Sequence, residues 1–156
     1  MIEVEKSPTA DTRTCDVSKV ERSQLLDSSR KHIADVGSAL GFFAAKLTEA
    51  ASTHDYDKLT EIDWFFGDFK SGFQTTGWWD NHRKIHRHHL GQDDGVPEDV
   101  NLLDVLEYIA DCVMAGIARS GEVYPMELSD EVLRLAFQNT QSLMESQVVV
   151  KDGSLA

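Results

Sequence analysis

The chain has 156 residues, 41% hydrophobic and 27% charged, a globular balance sized for one domain with one core. Its formal net charge of −12 excludes a protein that coats duplex nucleic acid, because phosphate contacts demand clustered Lys and Arg. It leaves room for a small phosphorylated ligand, since a bound divalent cation reverses the field locally whatever the bulk charge. No apolar run approaches the roughly 20 residues of a membrane span. The polar, acidic start carries no apolar signal core, and Cys15 and Cys112 are too few for a disulfide framework. A cytoplasmic protein with no membrane association is the expectation.

Residues 1–18 mix Pro, Thr, Asp and Ser without periodicity and read as a flexible arm. From about Val20 to Ala51 the apolar positions Leu25, Leu26, Ile33, Val36, Leu40, Phe43, Ala44 and Leu47 recur at helical spacing, which predicts one long helix eased at Gly37 or Gly41. Ser52-Thr53-His54-Asp55 breaks it, and Leu59, Ile62, Phe65, Phe66 and Phe69 outline a second helix. Lys70 to Gly77 reads as a turn, Trp78 to Leu90 as a short helix, and Gly91 to Pro97 as a loop dense in turn residues. A strong helix is expected from about Asn101 to Ala118, and Ser129 caps a last one carrying Val132 to Met144. Residues 148–156 form a tail whose only strand signal is a frayed Val148-Val149-Val150. The fold class is all-α, a compact bundle of about five helices forming a single domain over 19–147.

Four of the six histidines fall in His82-Arg83-Lys84-Ile85-His86-Arg87-His88-His89. On a helix, His82, His86 and His89 would share a face. A solvated basic helix explains the cluster without chemistry; imidazoles offered to a divalent metal and to phosphate oxygens explain its crowding. The His54-Asp55 pair would pass alone for a loop residue and an N-cap. It gains weight from its company, with His32 upstream on a separate helix and Asp111 on a later one. Together they form the set H…HD…D, which suits a cation that keeps open positions for water and substrate. Asp104, Glu107 and Asp111 fall on one side of their helix, which they share with Tyr108, Ala115 and Ala118 and with no Lys, as a cleft-lining face would. Lys58, one helical turn beyond Asp55, can reach the same cleft. Trp64, Trp78 and Trp79 read as core or cleft wall, and Cys112 as a small buried residue.

These stretches resemble a group of small helical proteins of bacteria and phages with an HD-domain-like pattern. The matching residues are His32; then His54-Asp55-Tyr56-Asp57-Lys58-Leu59; then His82 ahead of His86-Arg87-His88-His89. Asn101-Leu102-Leu103-Asp104, Glu107 and Asp111 complete them, so the likeness runs from His32 to Ala118. Asp57 stands where that pattern has serine, His86 where it has asparagine, Leu90 where it has proline and Cys112 where it has tryptophan. None of these removes a proposed ligand; Asp57 and His86 bear on substrate choice or metal affinity.

By analogy with the wider HD phosphohydrolase superfamily, the resemblance implies metal-dependent hydrolysis of a small phosphate ester, most often a nucleotide, with a nucleoside monophosphate favoured. It implies His32, His54, Asp55 and Asp111 as ligands to Mn, Co, Zn, Mg or Fe. Glu107 or Asp104 would then orient the water, while Lys58, Arg87 and one or more of His82, His88 and His89 neutralise phosphoryl charge. His82 with His88 or His89 could instead complete a second metal site. Two rival readings are a non-catalytic metal-containing module, of phage origin, that binds a nucleotide or a protein, and an interaction protein whose histidines line an interface. A homo-oligomer is left open by aromatic residues near the cleft.

Overall fold

The apolar spacing from Val20 onward does fold as one helix: α1 runs Arg22–Thr53, unbroken through Gly37 and Gly41. The structure, a computed structural model, describes residues 1–7, 12–91 and 95–151. Parts of the arm (8–11), of the loop after Gly91 (92–94) and of the tail (152–156) therefore lie outside the described residues. Mostly helical as expected, the chain continues with α2 (Asp57–Thr60), α3 (Ile62–Lys70), α4 (Trp78–Ile85), α5 (Leu102–Ser120) and α6 (Asp130–Gln147). Among the described residues, no helix is long and apolar enough to cross a membrane.

Two compact units divide the chain, residues 1–45 with 142–156, and residues 46–141. In the first, β1 (Ile2–Glu5) pairs in parallel with β2 (Val148–Lys151), Ile2 opposite Val148. The expected strand signal at Val148–Val150 is thus real, and its partner lies in the stretch read as a loose arm. Ile2 and Val4 are half-buried while Glu3 and Glu5 face solvent, the alternation of a strand with one covered side. Glu3 pairs with Lys151, and Glu5 with Lys31 of α1 at 2.6 Å.

The second unit holds the candidate chemistry. Its apolar core joins Leu90, Val100, Val105, Tyr108 and Ala136, with Val96, Leu102, Cys112, Leu128, Val132 and Leu135 packed around them. The start of α5 is fixed by a capping box: Asn101 Oδ1 accepts from Leu103 N at 2.9 Å, and Asp104 Oδ2 accepts from Asn101 N at 2.9 Å. The helix expected over Leu59–Phe69 is interrupted at Glu61, whose φ of −117° and ψ of 32° leave the helical region. Asp68, fully buried, accepts from Thr76 N (3.0 Å) and Trp79 N (2.9 Å), which folds the 71–77 turn back and sets the first turn of α4. Trp78, also fully buried, then packs on Phe65 with ring centroids 4.3 Å apart.

Gly116 lets the chain after α5 cross directly over that helix. A Cβ there would lie 2.5 Å from both Glu122 O and Tyr124 N, and neither backbone atom can swing aside. Gly116→Ala is therefore expected to destabilise the fold by about 1–3 kcal/mol despite the better helix propensity of alanine. A urea-unfolding midpoint lowered relative to wild type would bear this out; an unchanged or raised midpoint would contradict it.

Candidate metal centre

One turn gathers the site. α1 ends at Thr53, and Asp55 then takes a left-handed conformation (φ 51°), a region that Asp and Asn enter at lower cost than other side chains. Two residues later α2 begins. His54 and Asp55 thus stand at the reversal between two helices, where neither is committed to a helical face.

Around Asp55 the side chains converge. Its Oδ1 lies 3.4 Å from His82 Nε2 and 3.4 Å from His88 Nε2, and its Oδ2 lies 3.5 Å from His54 Nε2 and accepts from Lys58 Nζ. His82 and His88 are 0% and 1% exposed. Asp55 Oδ1, His82 Nε2 and His88 Nε2 are buried without a hydrogen-bond partner. Three buried polar atoms that face one another and bond to nothing are costly, because each forgoes its hydration. A cation between them is the simplest compensation: His54, Asp55 and His88, and likewise Asp55, His82 and His86, offer donor atoms within 4.8 Å of one another, so buried His and Asp groups able to hold a metal ion are present.

Outside this centre stand carboxylates that orient the rings. Glu107 Oε1 lies 2.9 Å from His54 Nδ1 and 3.0 Å from His88 Nδ1, the former a hydrogen bond. His54 Nδ1 is thereby occupied and Nε2 is turned to Asp55 and to Asp111 Oδ1 at 3.7 Å. Asp57, 1% exposed, accepts from His82 Nδ1 (2.8 Å) and from His86 Nε2 (2.8 Å). Beneath His82, Trp78 and Trp79 stack at centroid distances of 4.5 and 5.5 Å.

Several site expectations are revised by this arrangement. His82, His86 and His89 do not share one helical face, because α4 stops at Ile85 and His86 is extended. Leu90 anchors in the core, and Gly95 passes so near the turn that a Cβ would lie 2.5 Å from His89 O; together they draw residues 86–90 off the helix. His32 is not brought by a separate helix. It is exposed on α1, which is unbroken as far as Thr53, and it belongs to neither metal-capable group of the described residues. Arg87 and Asp104 are engaged with each other, Nε to Oδ1 at 2.8 Å and Nη2 to Oδ2 at 2.9 Å, with Asp99 as a third partner. Asp104 is thus the clamp and cap of α5. Lys58, Glu107, Asp111, His54, His82 and His88 are brought to Asp55 or to one another, and His89 packs against His82 and His88 at centroid distances of 4.7 and 4.3 Å. Asp57 was marked in the sequence only by its departure from the resembled pattern, and His86 by that departure and by its place in the histidine cluster; neither carried an orienting role.

The electrostatics follow the geometry. Burial by itself would raise the Asp55 carboxyl, but His88 and Lys58 hold it well below the usual carboxylate range. Burial would likewise lower His88, and Asp55, Glu107 and Asp111 overcome it and raise the imidazole. His82 is lowered by burial, and His89 is pushed down to about 3 by burial and by its neighbours His88 and His82. Beside His54, Glu107 and Asp111, a cavity of about 350 Å³ is lined otherwise by Leu47, Ala50, Ala51, Leu106, Ala110 and Met114.

The chain matches no protein-family model, no curated protein and no solved structure.

Two outcomes test this division of labour. Asp55→Asn, which tolerates the left-handed backbone, is expected to abolish metal binding while the fold persists. Asp104→Asn is expected to cost about 1–2 kcal/mol, since the Arg87 side chain is 40% exposed and solvent screens its loss, and to leave metal content unchanged. Elemental analysis with urea unfolding of both variants separates the roles; equal metal loss in both would overturn them.

The histidines also set a pH dependence in the metal-free protein. Unfolded, His89 takes a proton near its ordinary 6.5, whereas folded it does so only at about 3. Between these values the unfolded chain binds more protons, so stability falls as pH drops through that window. His82 acts in the same sense and His88 opposes. Urea midpoints measured from about pH 7 to 4 are expected to fall less steeply in His89→Gln than in wild type.

Proposed function

We propose that the chain is a metal-dependent phosphohydrolase acting on a small phosphate ester, a nucleotide and most favourably a nucleoside monophosphate, in an HD-domain-like helical fold. The observation that carries this reading is the set of unpartnered buried atoms, Asp55 Oδ1, His82 Nε2 and His88 Nε2, facing one another beside a cavity. His54, Asp55, His82 and His88 would hold the ion, with Asp111 at its edge. When bound, a divalent cation such as Mn²⁺, Co²⁺, Zn²⁺, Mg²⁺ or Fe²⁺ supplies Lewis acidity toward water and a phosphoryl oxygen.

The chain's own residues divide the remaining work. Glu107 keeps His54 in the tautomer with a bare Nε2. Asp111, whose side chain is 28% exposed, would orient or deprotonate the attacking water. Lys58, whose side chain is 27% exposed and reaches Asp55, is the cation nearest at hand for charge building on the phosphoryl group. The cavity, with its alanines and Met114, has room for one sugar and base and presents apolar wall to them.

The test is elemental analysis of wild type and of an Asp55→Ala/Asp111→Ala double variant, followed by a phosphate-release screen over nucleotides with added Mn²⁺. Metal in the wild type alone, with metal-dependent release from a nucleoside monophosphate, is the expected result. Metal without turnover of any ester would replace the enzyme with a metal-containing binding module. Neither metal nor turnover after reconstitution would reduce the cluster to packing.

A further inference from the structure

We propose that Asp57 is a positioning residue that commits His82 to the ion at Asp55 and keeps His86 out of the ligand set, so that the centre takes one ion rather than two. The inference rests on the metal reading above and deepens it.

Asp57 is 1% exposed, and an ionised carboxylate only accepts. His82 Nδ1, 2.8 Å from Oδ2 and 3.0 Å from Oδ1, must therefore carry its proton toward Asp57. A neutral imidazole with Nδ1 protonated leaves Nε2 bare, and that atom faces Asp55 Oδ1 at 3.4 Å with no hydrogen-bond partner. Trp78 and Trp79 fix the plane of the ring by stacking. Stacking does not distinguish the ring from its flipped form, which would turn both nitrogens the other way. Asp57 makes that distinction.

The same carboxylate accounts for His86. Its Nε2 lies 2.8 Å from Asp57 Oδ1, the oxygen that also receives His82 Nδ1. His86 Nε2 is thus a donor, and the carboxylate bridges one nitrogen of each ring, the ring centroids lying 4.6 Å apart. Asp55, His82 and His86 sit close enough to suggest a second ion site. Of its two rings, His86 has spent Nε2 and His82 has spent Nδ1 on Asp57, which leaves only His82 Nε2 turned to Asp55. His86 instead closes the far side of the carboxylate and stops it from rotating away, with Tyr56 edge-on to His86 at a centroid distance of 5.4 Å.

The experiment combines nitrogen-15 NMR of the metal-free wild type with Co²⁺ titration of wild type, Asp57→Asn and His86→Asn. The expected results are a single Nδ1-protonated tautomer for His82 and one Co²⁺ per wild-type chain. Asp57→Asn is expected to bind Co²⁺ about 10–100-fold more weakly, with a changed visible spectrum. His86→Asn should keep the wild-type stoichiometry and spectrum with a smaller loss of affinity. Unaltered affinity and spectrum in Asp57→Asn, or two ions per wild-type chain, would overturn the proposal while leaving the metal centre standing. A wild type that binds no Co²⁺ would instead overturn the metal reading. The tautomer needs no variant to fold, and an Nε2-protonated His82 would overturn the role of Asp57 by itself.

Discussion

The site in the second unit is arranged about one carboxylate, Asp55, whose side chain is 13% exposed and whose Oδ1 is buried. Asp55 has withdrawn from water, at a cost of several kcal/mol for an ion left alone. One of its oxygens is compensated by Lys58, and the other faces Nε2 of His82 and of His88, each at 3.4 Å. Such a residue fixes its surroundings. It demands the left-handed turn after α1, the early end of α4 that frees residues 86–89, and an α5 that presents Glu107 and Asp111 to the same point. The arrangement makes physical sense as one shaped for a cation.

The acidic residues show how a single chemical type is given separate tasks by its place in the fold. Asp55 faces the centre, whereas Glu107 and Asp57 stand behind the rings and decide which nitrogen carries the proton. Asp104, one turn before Glu107 on the same helix, is turned to Arg87 and to the helix cap, and Asp68 gathers backbone N–H groups at the start of α4. The rings in turn favour the ionised form of Asp57: its carboxyl is lowered by His82 and His86 although its burial works in the opposite direction.

Much of this was legible in the sequence, and the failures have identifiable causes. Long helices with strong caps read well: Asn101 and Asp104 mark the start of α5, and the 3.6-residue pattern carries α1 and α6. His54, Asp55, His88, Glu107 and Asp111 stood out by type and spacing, although nothing in the sequence tells Glu107 from Asp104 one helical turn earlier. That difference is made by Arg87, which reaches Asp104 from the turn after α4, 17 residues earlier in the chain. The end of α4 was illegible for a related reason. No breaker lies between Trp78 and Leu90, and the helix stops because Leu90 is held in the core while Asp57 and Asp104 capture His86 and Arg87. β1 has four residues, too few for alternation to stand above chance until its partner strand is known.

The overall charge also bears on the proposed chemistry. Asp55, Glu107 and Asp111 border the cavity mouth or the centre beside it, and the chain as a whole carries −12. A phosphate ester approaching the protein without its ion meets a repulsive field, which Lys58, already paired with Asp55, offsets only in part. With a divalent charge among His54, Asp55, His82 and His88, the sign at that point inverts while the periphery stays acidic. The same distribution disfavours long polyanions, which would extend over the acidic periphery, and favours an ester whose charge is confined to one phosphoryl group. The apolar wall of Leu47, Ala50, Ala51, Ala110 and Met114 then meets the uncharged remainder. On the proposed reading, these grounds favour a nucleoside monophosphate over a polyphosphate or a nucleic acid, with selectivity arising from where charge is absent as much as from where it is placed.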